Sequence, residues 1–334
     1  MMKFLDLIPN ICEGLPFKEG ESVLLNFWGD QADQAVLELL AENLATKGIA
    51  PYEHYCSHAF FERVVLNLIH HDKKFPQEYL DYLSSFKHVL DIFMYTPSLP
   101  KGIHESAIPL FQNYLRELFR ALTDDKEHYI QLTVPTQVNS LRTGMDPQTY
   151  ESALCNALSV NFPELKKACK EKLESVEHKE TITIHTGQEY ALTLDISTRQ
   201  WFVDDGCGDF PPGEIYIAPK ENKSHGDLLI PIVNLQGQIY EDVLMTFKEG
   251  KLFGSSCQEI DDFFLQRPDS FRILSEFGIG LNPEVKELTG YTPIDEKALG
   301  TYHIALGMNH LFGGDNDCPF HMDFVFYADD VVFS

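Results

Sequence analysis

Residues 295–323 read DEKALGTYHIALGMNHLFGGDNDCPFHMD and concentrate side chains that suit a divalent cation. His303 lies in the apolar run TYHIALG, and His321 and Asp323 alternate in HMD. Side chains at i and i+2 of a strand share one face, so an extended HMD aims both groups into one cavity with Met322 packed behind. An imidazole and a carboxylate on one face can hold zinc, cobalt, manganese or iron. Two further carboxylates stand out upstream. Glu214 opens EIYIAP after an irregular turn containing Gly206, Gly208, Pro211, Pro212 and Gly213, a placement expected at a cavity rim. Glu276 stands where the chain turns apolar, before Phe277, Ile279 and Leu281, so it must be paired, metal-bound or pushed to the rim. Core histidines and solvated carboxylates are also common without any metal, and spacing alone leaves both readings open.

Composition narrows the partners. With 51 acidic against 26 basic residues the formal net charge is −25, which argues against nucleic-acid backbones and anionic membranes and favours cations and amines. A hydrophobic fraction of 44% is enough for sizeable cores. The seven cysteines (Cys12, Cys56, Cys155, Cys169, Cys207, Cys257, Cys318) are scattered singly with no CxxC pair, as expected in a reducing compartment. No apolar run approaches the roughly 18 residues of a membrane helix, and the start of the chain lacks a leader pattern, so a cytoplasmic protein is expected.

The elements that must position these groups follow from periodicity. Residues 21–28 read as a buried strand, followed by an amphipathic helix, QADQAVLELLAENLATKG, closed by Gly48. Strands near 51–56, 87–96 and 128–135 alternate with helices at 58–70, 76–86 and 104–122, and 136–178 is helical and polar. This alternation predicts an α/β fold: an N-terminal open α/β domain with a largely parallel sheet, over residues 1–165. Gly29-Asp30 lacks the three glycines of a dinucleotide fingerprint. His70 and His71, beside Asp72, diverge by about 100° on a helix and read as solvated surface. From Thr181 the pattern turns to strands, with a hairpin at 181–187 and 190–196 and more strand at 228–247. Residues 259–282 read as a helix-rich segment ending at Glu276 and a Gly-Ile-Gly turn. Residues 166–334 are therefore expected to form a mixed α+β, metal-binding, catalytic domain.

The blocks FPPGEIYIAP, SEFGIGLN, DEKALGTYHIALG and FHMDF, in this order, resemble the metallo-aminopeptidases typified by aminopeptidase T and aminopeptidase S. The resemblance is strongest over about 160–334 and weaker in the N-terminal half, where KEGESVLLNF still fits. It implies a homodimeric hydrolase with two divalent metal ions, zinc or cobalt, that removes N-terminal residues from peptide substrates. By motif, the metal ligands fall on Glu214, Glu276, His303, His321 and Asp323, with Glu276 also the general base. The family's tyrosine shortly after the block histidine is replaced here by His310, expected to hydrogen-bond the oxyanion, and the chain is shorter than its relatives.

Two other readings share these residues. His303, His321 and Asp323 form a two-histidine-one-carboxylate set, the ligand type of mononuclear Fe(II) oxygenases, and dihydroxypyridine ring-cleaving dioxygenases resemble the same family. Retention of Glu214 and Glu276 favours two metals, since one iron needs neither. A peptide-binding homologue with weakened turnover would fit the lost tyrosine and the shortened end.

Overall fold

The computed structural model describes residues 2–71, 76–100 and 102–334, and the chain divides into two compact units. The first comprises residues 1–159 with 206–210, and the second 160–205 with 211–334. Asp72 lies outside the described residues; His70 and His71 are exposed, as expected of solvated surface.

The first unit opens on α1 (Met2–Gly14), which the sequence reading did not anticipate. Its buried Phe4, Ile8, Ile11 and Cys12 recur at helical spacing, and that stripe holds the helix despite the internal Pro9. Then follow β1 (Ser22–Trp28), α2 (Gln34–Thr46), β2 (Ala50–Cys56), a π-helical turn leading into α3 (Leu66–His70), and α4 (Gln77–Ser84). β3 (His88–Phe93), α5 (Ile108–Thr123), β4 (His128–Thr133), α6 (Gln137–Thr143) and α7 (Pro147–Leu158) complete the run. The strands pair in parallel in the order β2-β1-β3-β4, as the strand–helix alternation predicts. Leu24, Trp28, Val89 and Phe93 of the sheet meet Phe61, Val65, Leu83, Phe111 and Leu118 in one apolar core.

Across that sheet the register aligns His54, Asn26, Asp91 and Gln131 in one polar row. Asp91 is fully buried, and its carboxylate accepts hydrogen bonds from Asn26 Nδ2 at 2.6 Å, Trp28 Nε1 at 2.8 Å and Tyr129 OH at 2.8 Å. Burial outweighs these donors and pushes the carboxyl up to about 6.

The second unit begins with α8 (Phe162–Val176) and two antiparallel strands, β5 (Thr181–Thr186) and β6 (Tyr190–Asp195), which form the expected hairpin. β7 (Trp201–Asp204) follows; β8 (Asp209–Phe210) then joins the first unit's sheet, parallel to β4. β9 (Glu214–Ile217), the long hairpin β10 (His225–Leu235) and β11 (Gln238–Lys248), β12 (Lys251–Ser255) and α9 (Gln258–Leu265) come next. The chain closes with β13 (Leu274–Gly280), α10 (Thr292–Asp295), β14 (Tyr302–Gly307), β15 (His321–Phe326) and β16 (Asp330–Phe333). Among the described residues these strands form two sheets, ordered β12-β11-β10-β6-β5-β16 and β15-β14-β13-β9-β7. The mixed architecture agrees with the expected α+β arrangement.

One expectation is corrected. Residues 274–280 are a strand, not the end of a helix and a Gly-Ile-Gly turn, so Glu276 lies inside a sheet. The glycines are there for space: a Cβ on Gly278 would come within 2.0 Å of His303 Cε1, and one on Gly280 within 2.1 Å of the Ala298 carbonyl.

The raised Asp91 carboxyl favours the protonated folded state. Its contribution is complete below the unfolded value of about 4 and is lost as pH rises through about 6. Asp91→Asn should remove that dependence: the unfolding midpoint of the variant, followed by Trp28 fluorescence in denaturant, should gain on wild type between pH 4 and 7 by up to roughly 3 kcal/mol. Parallel pH profiles for the two proteins would refute the assignment.

Candidate metal centre

The β15-β14-β13-β9-β7 sheet presents two chemically opposite faces. Antiparallel register places Glu276 beside Ala305 and Ala305 beside Asp323, Gly278 beside His303, Gly280 beside Glu214, and Gly307 beside His321. Residues paired across strands share a face, and period two carries that face along each strand. Glu214, Glu276, His303, His321 and Asp323 therefore all project to one side. The opposite side carries Ile215, Ile217, Phe277, Ile279, Ile304 and Phe324, all buried.

A bulge bounds the polar row just before Glu276. Leu274 pairs with Leu306 but Glu276 with Ala305, so two residues of β13 oppose one of β14 at Leu274–Ser275. The ladder of Glu276–Ile279 continued without the bulge would set Leu274 opposite Gly307, on the polar face. A one-residue shift of register exchanges the two faces of a strand.

The side chains converge closely. Glu276 spans the two histidines, with Oε1 3.1 Å from His303 Nε2 and Oε2 3.5 Å from His321 Nε2. Asp323 Oδ1 is 3.2 Å from His321 Nε2, and Glu214 Oε2 is 3.5 Å from His303 Nε2. Ligand atoms of Glu276, His321 and Asp323 all lie within 4.8 Å of one another. The Nδ1–H of His321 donates to the Met308 carbonyl at 2.9 Å, which leaves Nε2 facing the carboxylates. Glu214, expected at a rim, is buried instead (6% exposed), with the buried Lys297 ammonium against its carboxylate.

Lys297 is the functional residue that sequence reasoning passed over, although it lies in the quoted run DEKALG. Only 3% exposed, its ammonium contacts Glu214 Oε1, Glu296 Oε1 at 3.0 Å and Asp204 Oδ2 at 3.6 Å. Burial alone would lower its pKa, but the charges of Glu214, Glu296 and Asp204 hold it well above the ordinary value. A buried lysine is a signal only once its partners are known, and two of those lie over 80 residues upstream.

The electrostatics ask for more positive charge than the protein supplies. Burial pushes Glu276 up, and it pushes Glu296 up to about 8 against the pull of Lys297. Burial would lower both histidines, yet the neighbouring carboxylates raise His303 to about 9 and His321 to about 10. Asp323 is held below its usual range by His321 despite its burial. Among the described residues, Glu214 Oε2 and His303 Nδ1 are buried without a hydrogen-bond partner. Without metal, protonated His303 and His321 offset part of the charge of the five carboxylates (Asp204, Glu214, Glu276, Glu296, Asp323). With the imidazoles neutral, as metal ligation requires, and the carboxylates ionised, one ammonium would leave four negative charges for two divalent cations to neutralise. Oxygen and imidazole donors converging in such a field fit divalent metal.

His310, by contrast, lies on an exposed turn, with Nδ1 3.5 Å from Asp317 Oδ1. That turn belongs to the segment 308–320, pinned by the buried Asn316, whose amide donates to the carbonyls of Gly307 and Ser270. Phe312 packs edge-on against His321 with centroids 6.0 Å apart.

The profile of the thermophilic metalloproteases (M29) matches residues 3–322. The chain belongs to that family. This M29 member is thus a metal-dependent hydrolase of the metallopeptidase class. No curated protein matches its sequence. Its fold is similar to wild-type AmpT from Thermus thermophilus, at 15% identity, a TM-score of 0.66, and 98% of this chain against 94% of that one. It is also similar to 2,5-dihydroxypyridine dioxygenase from Pseudomonas putida KT2440, at 13% identity, a TM-score of 0.60, and 96% against 90% coverage. Among the described residues, no helix is long and apolar enough to cross a membrane.

Removing the ammonium should expose the repulsion it suppresses. Lys297→Met keeps the stem's volume but leaves buried carboxylates uncompensated, a loss of about 3–5 kcal/mol for one partner of a buried pair. In chelator the variant should melt well below wild type. An unchanged melting temperature in chelator would contradict the charge account.

Proposed function

We propose that this M29 chain is an aminopeptidase that hydrolyses the N-terminal peptide bond of peptides at a dinuclear metal centre. Glu214, Glu276, His303, His321 and Asp323 would hold the two ions, zinc or cobalt. The observation that carries the reading is Glu276, whose two oxygens face two different imidazoles on a surface with more carboxylates than cationic groups. Bound there, divalent cations would polarise the scissile carbonyl and lower the pKa of the attacking water.

The chain's own residues account for the remaining steps. Glu276 receives the proton of the attacking water and returns it to the leaving amine. Lys297 fixes Glu214 and balances Glu296 and Asp204, so the face stays assembled before substrate arrives. Surplus carboxylate charge draws the substrate's α-ammonium, which selects chain ends over internal bonds. The wider excess of acid, with a net charge of −25, acts in the same direction at longer range. His310 remains the candidate donor on the loop. A homodimer in the cytoplasm completes the proposal, and seven free thiols suit that reducing setting.

The trio of Glu276, His321 and Asp323 is also compact enough to hold one ion alone, which keeps the mononuclear iron reading testable. Metal analysis of the purified protein decides between them: two zinc or cobalt ions per chain are expected, and a single iron would transfer the assignment to the oxygenase. With metal loaded, wild type should hydrolyse aminoacyl p-nitroanilides, and Glu276→Gln should lose at least about 10²-fold in kcat while keeping its circular dichroism. Complete inactivity of the fully loaded wild type would leave a binding protein; wild-type rates in the variant would remove Glu276 as the base.

A further inference from the structure

Tyr216 carries a hydroxyl with no hydrogen bond among the described residues, and it stands on the metal-binding face of the sheet. It is two residues beyond Glu214 on β9 and pairs across strands with Gly278, which in turn pairs with His303. Period two puts its side chain on the same side as the five candidate ligands. The His303 ring fills the space over Gly278, and Tyr216 stands in register with His303 on the same face. The ring itself is held on two sides. Phe202 stacks on it at 5.6 Å, and Phe312 meets it edge-on at 5.5 Å while touching His321 on its far side. Clamping of this kind fixes where the hydroxyl points but supplies nothing for it to bond. A free phenol titrates near 10, so the group is an O–H donor at neutral pH. Tyr216 is half-buried, and a carbonyl oxygen arriving with substrate would give its hydroxyl an acceptor.

We infer that Tyr216 is a catalytic hydrogen-bond donor to the substrate, aimed at the carbonyl oxygen of the scissile peptide bond. The inference rests on the aminopeptidase reading above. As water adds to the carbonyl carbon, a C–O bond forms, the π pair moves onto the carbonyl oxygen, and the water's proton passes to Glu276. The hydrogen bond donated by the Tyr216 hydroxyl strengthens as that oxygen becomes anionic. When the oxygen's electron pair re-forms the carbonyl, the C–N bond breaks and the amine leaves with the proton from Glu276. A donor held by packing on a rigid sheet needs no reorganisation during the step, which is the condition under which such donors contribute most.

The test is Tyr216→Phe in the metal-loaded full chain, assayed on an aminoacyl p-nitroanilide beside wild type. Loss of one oxyanion donor should lower kcat by roughly 10²–10³-fold with KM within about threefold. Metal content should equal that of wild type, because the hydroxyl is not a ligand. A phosphinic dipeptide, which mimics the tetrahedral state, should lose affinity in proportion to kcat/KM, whereas the product amino acid should bind as before. Equal kcat in the two proteins, or a fall in kcat accompanied by loss of metal, would overturn the role of Tyr216. If wild type itself has no activity, it is the aminopeptidase reading that fails, and the two failures are distinguishable.

Discussion

The arrangement of the second unit turns on one buried ammonium. Lys297 meets Glu214, Glu296 and Asp204 in a place where water is excluded, and without it those carboxylates would repel one another or take up protons. Pairing reduces that cost but does not remove it, since more acid than base converges on the same face. The histidines respond by holding protons well above their ordinary range. A protein that buries charge in this way is less stable than one with an apolar core of the same volume, as is general for buried ion clusters. Retaining such a cluster makes physical sense where cations complete it.

Geometry at the same place is set by small residues rather than large ones. Gly278 admits the His303 ring, Ala305 separates Glu276 from Asp323 across two strand pairings, and Gly307 lets the chain pass against the Phe320 carbonyl. The bulge at Leu274–Ser275 then keeps Leu274 off the polar face on which Glu276 stands. These features weaken the strand on its own, since glycine in a strand costs entropy and buries no surface. The apolar underside offsets that cost, with Phe277, Ile279 and Ile304 packed beneath the site.

The first unit obeys the same logic with a different outcome. Its parallel sheet also carries a buried polar row, from His54 through Asn26 and Asp91 to Gln131. There every oxygen of Asp91 is met by a donor from a neighbouring strand, so the row is closed upon itself. Glu214 Oε2 and His303 Nδ1 are not closed in this way. A satisfied network specifies a fold, whereas an unsatisfied one marks where another species belongs.

The sequence by itself determined the α/β alternation of the first unit, the strand character of the second, and the identity of the candidate ligands. Each of these rests on local periodicity or on a motif a few residues long, such as HMD, where alternation alone places two groups on one face. It did not disclose that Glu276 lies within a strand, because SEFGIG reads locally as a turn and only the His303 ring explains its glycines. Nor did it disclose Lys297 as the partner of Glu214, the strand that Asp209–Phe210 adds to the first unit's sheet, or the open hydroxyl of Tyr216. The stripe of Phe4, Ile8 and Ile11 was legible and went unread. What tertiary structure alone decided was pairing: register between strands distant in sequence determines which charges meet, and short-range pattern carries no information about register across eighty residues of chain.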